Sequence, residues 1–202
     1  MRILVACEES GRVTAEFRRR GHEAYSCDIL PTSGGHPEWH IQGDVLPLLS
    51  EKWDMIIAFP PCTYLTNASA VRMRVKGQIV KDRYEKMLEG RAFFLALLNA
   101  DCPRIAVENP TPMKLAELPP YQQAIQPWEF GHPYSKRTCL WLKGLPPLMA
   151  TEIVEHHEPY VNGGCKDAHG NYRRFQGRKE RDPINRAKTF PGIAKAMAEQ
   201  WG

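Results

Sequence analysis

Cys62 follows Pro60 and Pro61 at the end of an apolar run that begins at Met55, in the stretch AFPPCTYL. A strand cannot run through two prolines, because each lacks a backbone donor and the pair forces an extended, rigid turn. Whatever follows that turn stands at the rim of a sheet, where open α/β sheets bind their ligands. A thiol there is either a nucleophile or a small buried hydrophobe, since free cysteine is among the most buried residue types. A second chemical pair, Glu108 and Asn109, closes the apolar run RIAVENP, so a carboxyl and an amide land on the same rim. Further acids stand at turns: Glu8 ahead of Ser10 and Gly11, Asp28 at the end of HEAYSCDI, and Asp44 after Gly43.

The elements that must position these groups alternate between strand and helix. RILVACE is a short apolar strand closed by ESG, RVTAEFRRRG is a helix capped by Gly21, and HEAYSCDI is a second strand. A turn at Glu8 to Gly11 brings backbone donors and a helix N-terminus to an anionic group. Asp28, seventeen residues after Gly11, has the spacing at which an acid reaches ribose hydroxyls. Residues 31 to 40 read as a loop, and WDMIIAF reads as a buried parallel strand.

Residues 63 to 82 read as a long polar, basic connection with Arg72, Arg74, Lys76, Lys81 and a mid-loop Gly77, of the kind used as a lid. YEKMLEGRAFFLALLNA is an amphipathic helix, RIAVENP a strand, KRTCLWLKGLPPL a strand and turn after a proline-rich crossing, and GIAKAMAEQWG a closing helix. The expected fold is one α/β domain over residues 1–202, a doubly wound, mostly parallel sheet.

Composition narrows the class. With 202 residues and 43% apolar content, the chain supports one core. No apolar stretch approaches the roughly 20 residues that cross a bilayer. The opening MRILVACEES meets an acidic pair by Glu8 without a signal-peptide apolar run, and six singly scattered cysteines suit a reducing compartment, so a cytoplasmic protein is expected. The net charge of +4 is uneven: residues 171–188 hold seven Lys/Arg against two acids. Basic residues interleaved with Tyr172 and Phe175 suit an anionic, stackable polymer, or else a solvated loop. His156, His157, Cys165 and His169 could together bind a metal, but their spacing fits no strong zinc pattern and none is assigned.

In order and spacing, PPC, ENP, FGHPYSKRTCLWL and TFPGIAKAMAEQW resemble the motifs of the cytosine-C5 DNA methyltransferase family over nearly the whole chain. The resemblance implies a Rossmann-like fold of the S-adenosylmethionine-dependent methyltransferase type. It implies Cys62 as the nucleophile on C6 of a flipped cytosine, Glu108 as the acid at N3, and Asn109 as an orienting group. The amino-methyltransferases that modify adenine or cytosine amines carry an acceptor before the two prolines and an aromatic after them. Phe59 and Cys62 hold those positions here, which favours carbon over nitrogen as the target.

For the cofactor S-adenosylmethionine, the resemblance implies Glu8, Ser10, Gly11, Asp28, Ile29, Asp44, Phe59 and Pro61. For DNA it implies Arg72, Arg74, Lys76, Lys136, Arg137, Arg173, Arg174 and Arg178. The pattern departs from the family in two places. Only Lys136 matches the charge of the family's two-arginine motif, Thr138 stands at its last arginine, and Arg137 replaces that arginine only with a shifted register. About 45 residues, 143–186, stand where the family carries a large target-recognition region. Low sequence specificity, an accessory recognition subunit, a homo-oligomer or a non-duplex substrate would follow.

Overall fold

The computed structural model describes residues 1–166, 169, 171–177 and 183–202. Seven strands make one sheet: β1 (Arg2–Ala6), β2 (Glu23–Asp28), β3 (His40–Gln42), β4 (Met55–Ala58), β5 (Ile105–Pro110), β6 (Gln123–Ile125) and β7 (Thr138–Lys143). Their order is β3-β2-β1-β4-β5-β7-β6. All neighbours are parallel except β7, which runs antiparallel to both β5 and β6. This is a doubly wound, Rossmann-like, mostly parallel sheet. The order reverses between β1 and β4, and such switch points open the crevices that bind ligands.

The strand sequences explain the layers. All four residues of β4 are buried, as expected of a parallel strand covered on both faces. One face, through Ile3, Val5, Ile57 and Leu140, packs on helices α1 (Arg12–Arg19) and α3 (Pro191–Trp201). The other face, through Leu4, Ile56, Val107 and Trp141, packs on helix α2 (Lys81–Leu98). Phe94 of α2 meets Trp141 edge-on with ring centroids 4.9 Å apart. The glycine expected to end α1, Gly21, has φ +80° just past the last turn, a conformation that costs glycine little.

Three connections differ from the sequence reading. Residues 63 to 82 are not an open loop: they hold a short helix, Asn67–Ala70, and a hairpin pairing Arg74–Val75 with Gln78–Ile79. Lys76 and Gly77, at φ +48° and +81°, form the tight turn whose twist suits a two-residue hairpin. Buried Met73 anchors its base, where Val80 N donates to Met73 O at 3.0 Å. The proline-rich crossing contains β6, three residues long, which owes its place to pairing with β7 rather than to a pattern of its own. The approach to Asp44 contains β3, starting at His40, whose ring nitrogens meet Ser26 Oγ at 2.8 Å and Leu30 O at 2.9 Å. Among the described residues, no helix is long and apolar enough to cross a membrane.

Candidate active site

Beyond β4 the chain turns through Pro60 and Pro61, and Leu65 N and Thr66 N both donate to Cys62 O, at 3.0 and 3.3 Å. That turn is stitched to the chain leaving β5. Asn67 N donates to Thr111 O at 3.0 Å, Met113 N donates to Leu65 O at 2.7 Å, and Thr66 bridges Pro112. Because Ala58 pairs with Val107, the thiol loop and the end of β5 emerge side by side. Backbone contacts, not side chains, therefore bring Cys62 near Glu108.

Strand alternation sends Glu108 to the face of Ala106 and Leu140, toward α3. There it shares a small pocket with Phe59, Lys136, Thr138, Thr189 and Phe190. Burial pushes the Glu108 carboxyl above its ordinary value, and the Lys136 ammonium pulls it back. Burial also raises the Cys62 thiol, the Glu108 carboxylate raises it further, and Lys136 lowers it. Cys62, Glu108 and Lys136 are thus one electrostatic group. Lys136 Nζ is held by Arg186 O at 2.9 Å.

The other residues expected here separate. Asn109 is fully buried on the opposite face from Glu108, its amide donating to Pro110 O and its Oδ1 lacking a hydrogen-bond partner among the described residues. Arg137 turns away to donate to Tyr121 Oη at 3.0 Å, so no register shift brings it to Glu108. Thr138 stays in the pocket and donates to Lys136 O at 3.2 Å.

At the switch point lies a cleft of about 570 Å³. Glu8, Ser10, Asp28, Ile29, Asp44, Phe59 and Pro61 all line it. Gly11 does not; at φ +63° it opens α1 and borders a smaller hollow of about 250 Å³ with Arg12, Thr32 and Trp39. Asp28 accepts from Leu30 N at 2.9 Å and Asp44 from Leu46 N at 3.0 Å, while Gly43 N donates to Asp28 O at 2.8 Å, so the acids form adjacent rims. Ile29 is 74% exposed beside them. Cys7, on the same wall, is pushed up to about 12, by burial first and then by Asp28, so it stays a neutral thiol at neutral pH.

The two acids at the first turn divide their work. Glu8 accepts from Val13 N at 2.7 Å, Thr14 N at 3.2 Å and Thr14 Oγ1 at 2.7 Å. It therefore occupies the donors of α1 that the sequence reading offered to a ligand. Burial raises its pKa while those three hydrogen bonds lower it. Glu9, which the sequence reading passed over, keeps a buried Oε1 with no hydrogen-bond partner among the described residues, 3.6 Å from Lys188 Nζ. An orphaned carboxylate oxygen beside a lysine fits a zwitterionic amino-acid end, and Asp28, Asp44 and Ile29 fit a ribosyl-adenine. The cleft is consistent with S-adenosylmethionine. Glu9 stood next to Ser10, and Lys188 preceded the closing helix, but neither carried a motif.

Arg72, Arg74 and Lys76 are exposed on the hairpin, and Arg74 donates to Gly77 O at 3.0 Å. Arg173 and Arg174 belong to the strand Tyr172–Phe175, with Arg174 exposed, and Arg178 lies outside the described residues. Unforeseen was Tyr64, two residues past the thiol, with Arg83 5.1 Å and Lys86 5.7 Å from its ring centroid. His157 stacks on Trp128 at 5.1 Å. Among the described residues no three His, Cys, Asp or Glu side chains gather around a possible metal position.

No family model and no curated protein matches the chain. Solved structures do, at low identity. A DNA modification methyltransferase encoded within an E. coli prophage is 15% identical over 75% of this chain and 51% of its own, with TM-score 0.45. The Entamoeba histolytica methyltransferase EhMeth is 14% identical over 75% and 57%, with TM-score 0.43. A Spodoptera frugiperda DNMT2 mutant is 17% identical over 75% and 54%, with TM-score 0.40. The chain spans little more than half the length of each.

Proposed function

We propose that the chain is an S-adenosylmethionine-dependent methyltransferase that acts on C5 of cytosine in DNA, with low sequence specificity. One observation carries the reading: the Cys62, Glu108 and Lys136 group adjoins the cleft, and Phe59, Ala187 and Thr189 line both. Two sites with a common wall suit transfer between a bound cofactor and a base.

In this mechanism the base leaves the duplex stack at a cost of a few kcal/mol. The Cys62 thiolate forms a bond to C6, and the electron pair of the C5–C6 bond becomes available at C5. Protonated Glu108 donates to N3 as negative charge spreads over the ring. While Glu108 still holds that proton, before the transfer to N3, it does not repel the Cys62 thiolate, and Lys136 favours the thiolate further. S-adenosylmethionine supplies the electrophilic methyl group when bound. C5 then gives up its hydrogen as a proton to solvent, the Cys62–C6 bond breaks, and the sulfur leaves as thiolate while N3 returns its proton to Glu108.

Asp28 and Asp44 would hold the ribose and adenine, Ile29 would cover the adenine face, and Glu9 with Lys188 would take the ammonium and carboxylate. Arg72, Arg74, Lys76, Arg173, Arg174 and Arg178 would meet phosphates, which orient DNA without reading sequence. Thr138 leaves the pocket one cation poorer than the family pattern. Transfer of labelled methyl from S-adenosylmethionine to duplex DNA tests the reading. Label confined to single strands, RNA or free nucleotide would move the substrate, and binding without transfer would reduce the chain to a binding module.

A further inference from the structure

The segment Arg186–Phe190 is the wall common to the two sites. Ala187 and Thr189 border both the cleft beside Glu9 and the pocket around Glu108. Three cationic side chains from different parts of the chain fasten it. Arg12 Nη1, at the start of α1, donates to Thr189 O at 2.8 Å, and Lys136 Nζ donates to Arg186 O at 2.9 Å. The third fastening is Lys188 Nζ, 3.6 Å from Glu9 Oε1.

The first two fastenings are hydrogen bonds, and the third is an ion pair too long to be one. Charge-assisted N–H···O bonds run about 2.7–2.9 Å, and Glu9 Oε1 is buried without a hydrogen-bond partner among the described residues. A buried acceptor left unmet is unfavourable, so a group that fills the gap is held there. A ligand carrying an ammonium and a carboxylate would fill it from both sides and tie Lys188 to Glu9 through itself. That would fix Thr189 and Phe190, and Lys136 Nζ lies 6.0 Å from the Phe190 ring centroid.

We infer that Arg186–Phe190 is a coupling strap, latched by Arg12, Lys136 and Lys188, through which occupation of the cofactor cleft and of the Glu108 pocket favour each other. The inference rests on the methyltransferase reading and adds what that reading lacks, a link between its two sites. Arg12 lines neither the cleft nor the pocket, and Lys188 does not line the pocket. Toward the base both are positioning residues. By linkage the coupling is reciprocal: the factor by which cofactor tightens DNA binding equals the factor by which DNA tightens cofactor binding.

The test is calorimetric titration of S-adenosylhomocysteine into the full chain, alone and saturated with a short duplex holding a cytosine opposite an abasic site. The strap predicts at least about fivefold tighter binding in the presence of the duplex. In Arg12→Gln that factor falls toward one while both binary complexes form as in the wild type; Lys188→Gln, which also loses its own contact with the cofactor, binds S-adenosylhomocysteine more weakly and shows the same fall in the factor, and Lys188→Arg restores both. A purely structural role would weaken binary binding and leave the factor alone. Thermal unfolding checks each variant; should Arg12→Gln not fold, Lys188→Gln and Lys188→Arg carry the test. A factor of one in the wild type, or an unchanged factor in the glutamine variants, overturns the strap alone. Failure of the wild type to bind S-adenosylhomocysteine or the duplex overturns the methyltransferase reading and the strap with it.

Discussion

Burial lifts the Cys62 thiol above its ordinary value and the neighbouring Glu108 carboxylate lifts it further, while Glu108 is itself raised by burial. An acid with a raised folded-state pKa binds its proton more tightly folded than unfolded. Its contribution to stability is complete below the unfolded value of about 4.3 and is lost as pH rises through the folded value. Glu108→Gln removes that loss. Its stability relative to wild type should therefore increase from pH 5 to pH 8, by about 1.4 kcal/mol for each unit of upward shift crossed. Urea unfolding at the two pH values measures it, and a difference that shrinks with pH contradicts the raised carboxyl.

Lys136 lowers the pKa of both Glu108 and Cys62. Lys136→Met should therefore move the pH profile of Cys62 alkylation by iodoacetamide to higher pH, and Lys136→Arg should leave it near wild type. Mass spectrometry of the Cys62 peptide reads the rates. An unmoved profile in Lys136→Met would separate the lysine from the thiol.

Glu8 satisfies two amides and a hydroxyl at the start of α1. Glu8→Ala leaves those buried donors unmet and should cost roughly 2–3 kcal/mol. Urea denaturation measures this, with Thr14→Val expected to cost about 1 kcal/mol for its single hydroxyl bond.

The hairpin of residues 74–79 makes a prediction in salt. With no acid between Thr63 and Lys81, the hairpin offers Arg74 and Lys76 to phosphates. Their joint replacement by alanine should make the dependence of log K on log[salt] shallower by roughly 2, about 0.9 for each phosphate that is no longer neutralised. Fluorescence anisotropy with a labelled duplex between 50 and 200 mM salt reads the slope.

Much of this site was legible before the fold was known, because its groups sit at strand ends that announce themselves by apolar runs. The runs ending in Ala6, Asp28, Ala58 and Pro110 are β1, β2, β4 and β5, and they carry the first turn, Asp28, Cys62 and Glu108 to one edge. What escaped depends on contacts between distant segments. β6 has no period of its own and exists because β7 pairs with it. Glu8 and Glu9 are adjacent acids that the sequence cannot tell apart; only the fold turns one to the helix and leaves the other's Oε1 beside Lys188 with no hydrogen bond among the described residues. Arg137 and Lys136 are adjacent cations divided in the same way, one reaching Tyr121 and the other Arg186. Gly77 was a readable turn residue, but a hairpin with φ > 0 at both central positions calls for Asn, Asp or Gly ahead of it, and Lys76 at φ +48° gave no such signal, so the ribbon was hidden.

The most direct measurement of the central claim is covalent trapping on a duplex whose cytosines are replaced by 5-fluorocytosine, with S-adenosylmethionine present. Fluorine at C5 cannot leave as a proton does, so the Cys62–C6 bond persists. The account predicts a denaturation-resistant protein–DNA adduct whose crosslinked peptide contains Cys62, present in wild type and absent in Cys62→Ser. A wild type that methylates DNA without forming the adduct, or an adduct that survives Cys62→Ser, would contradict it.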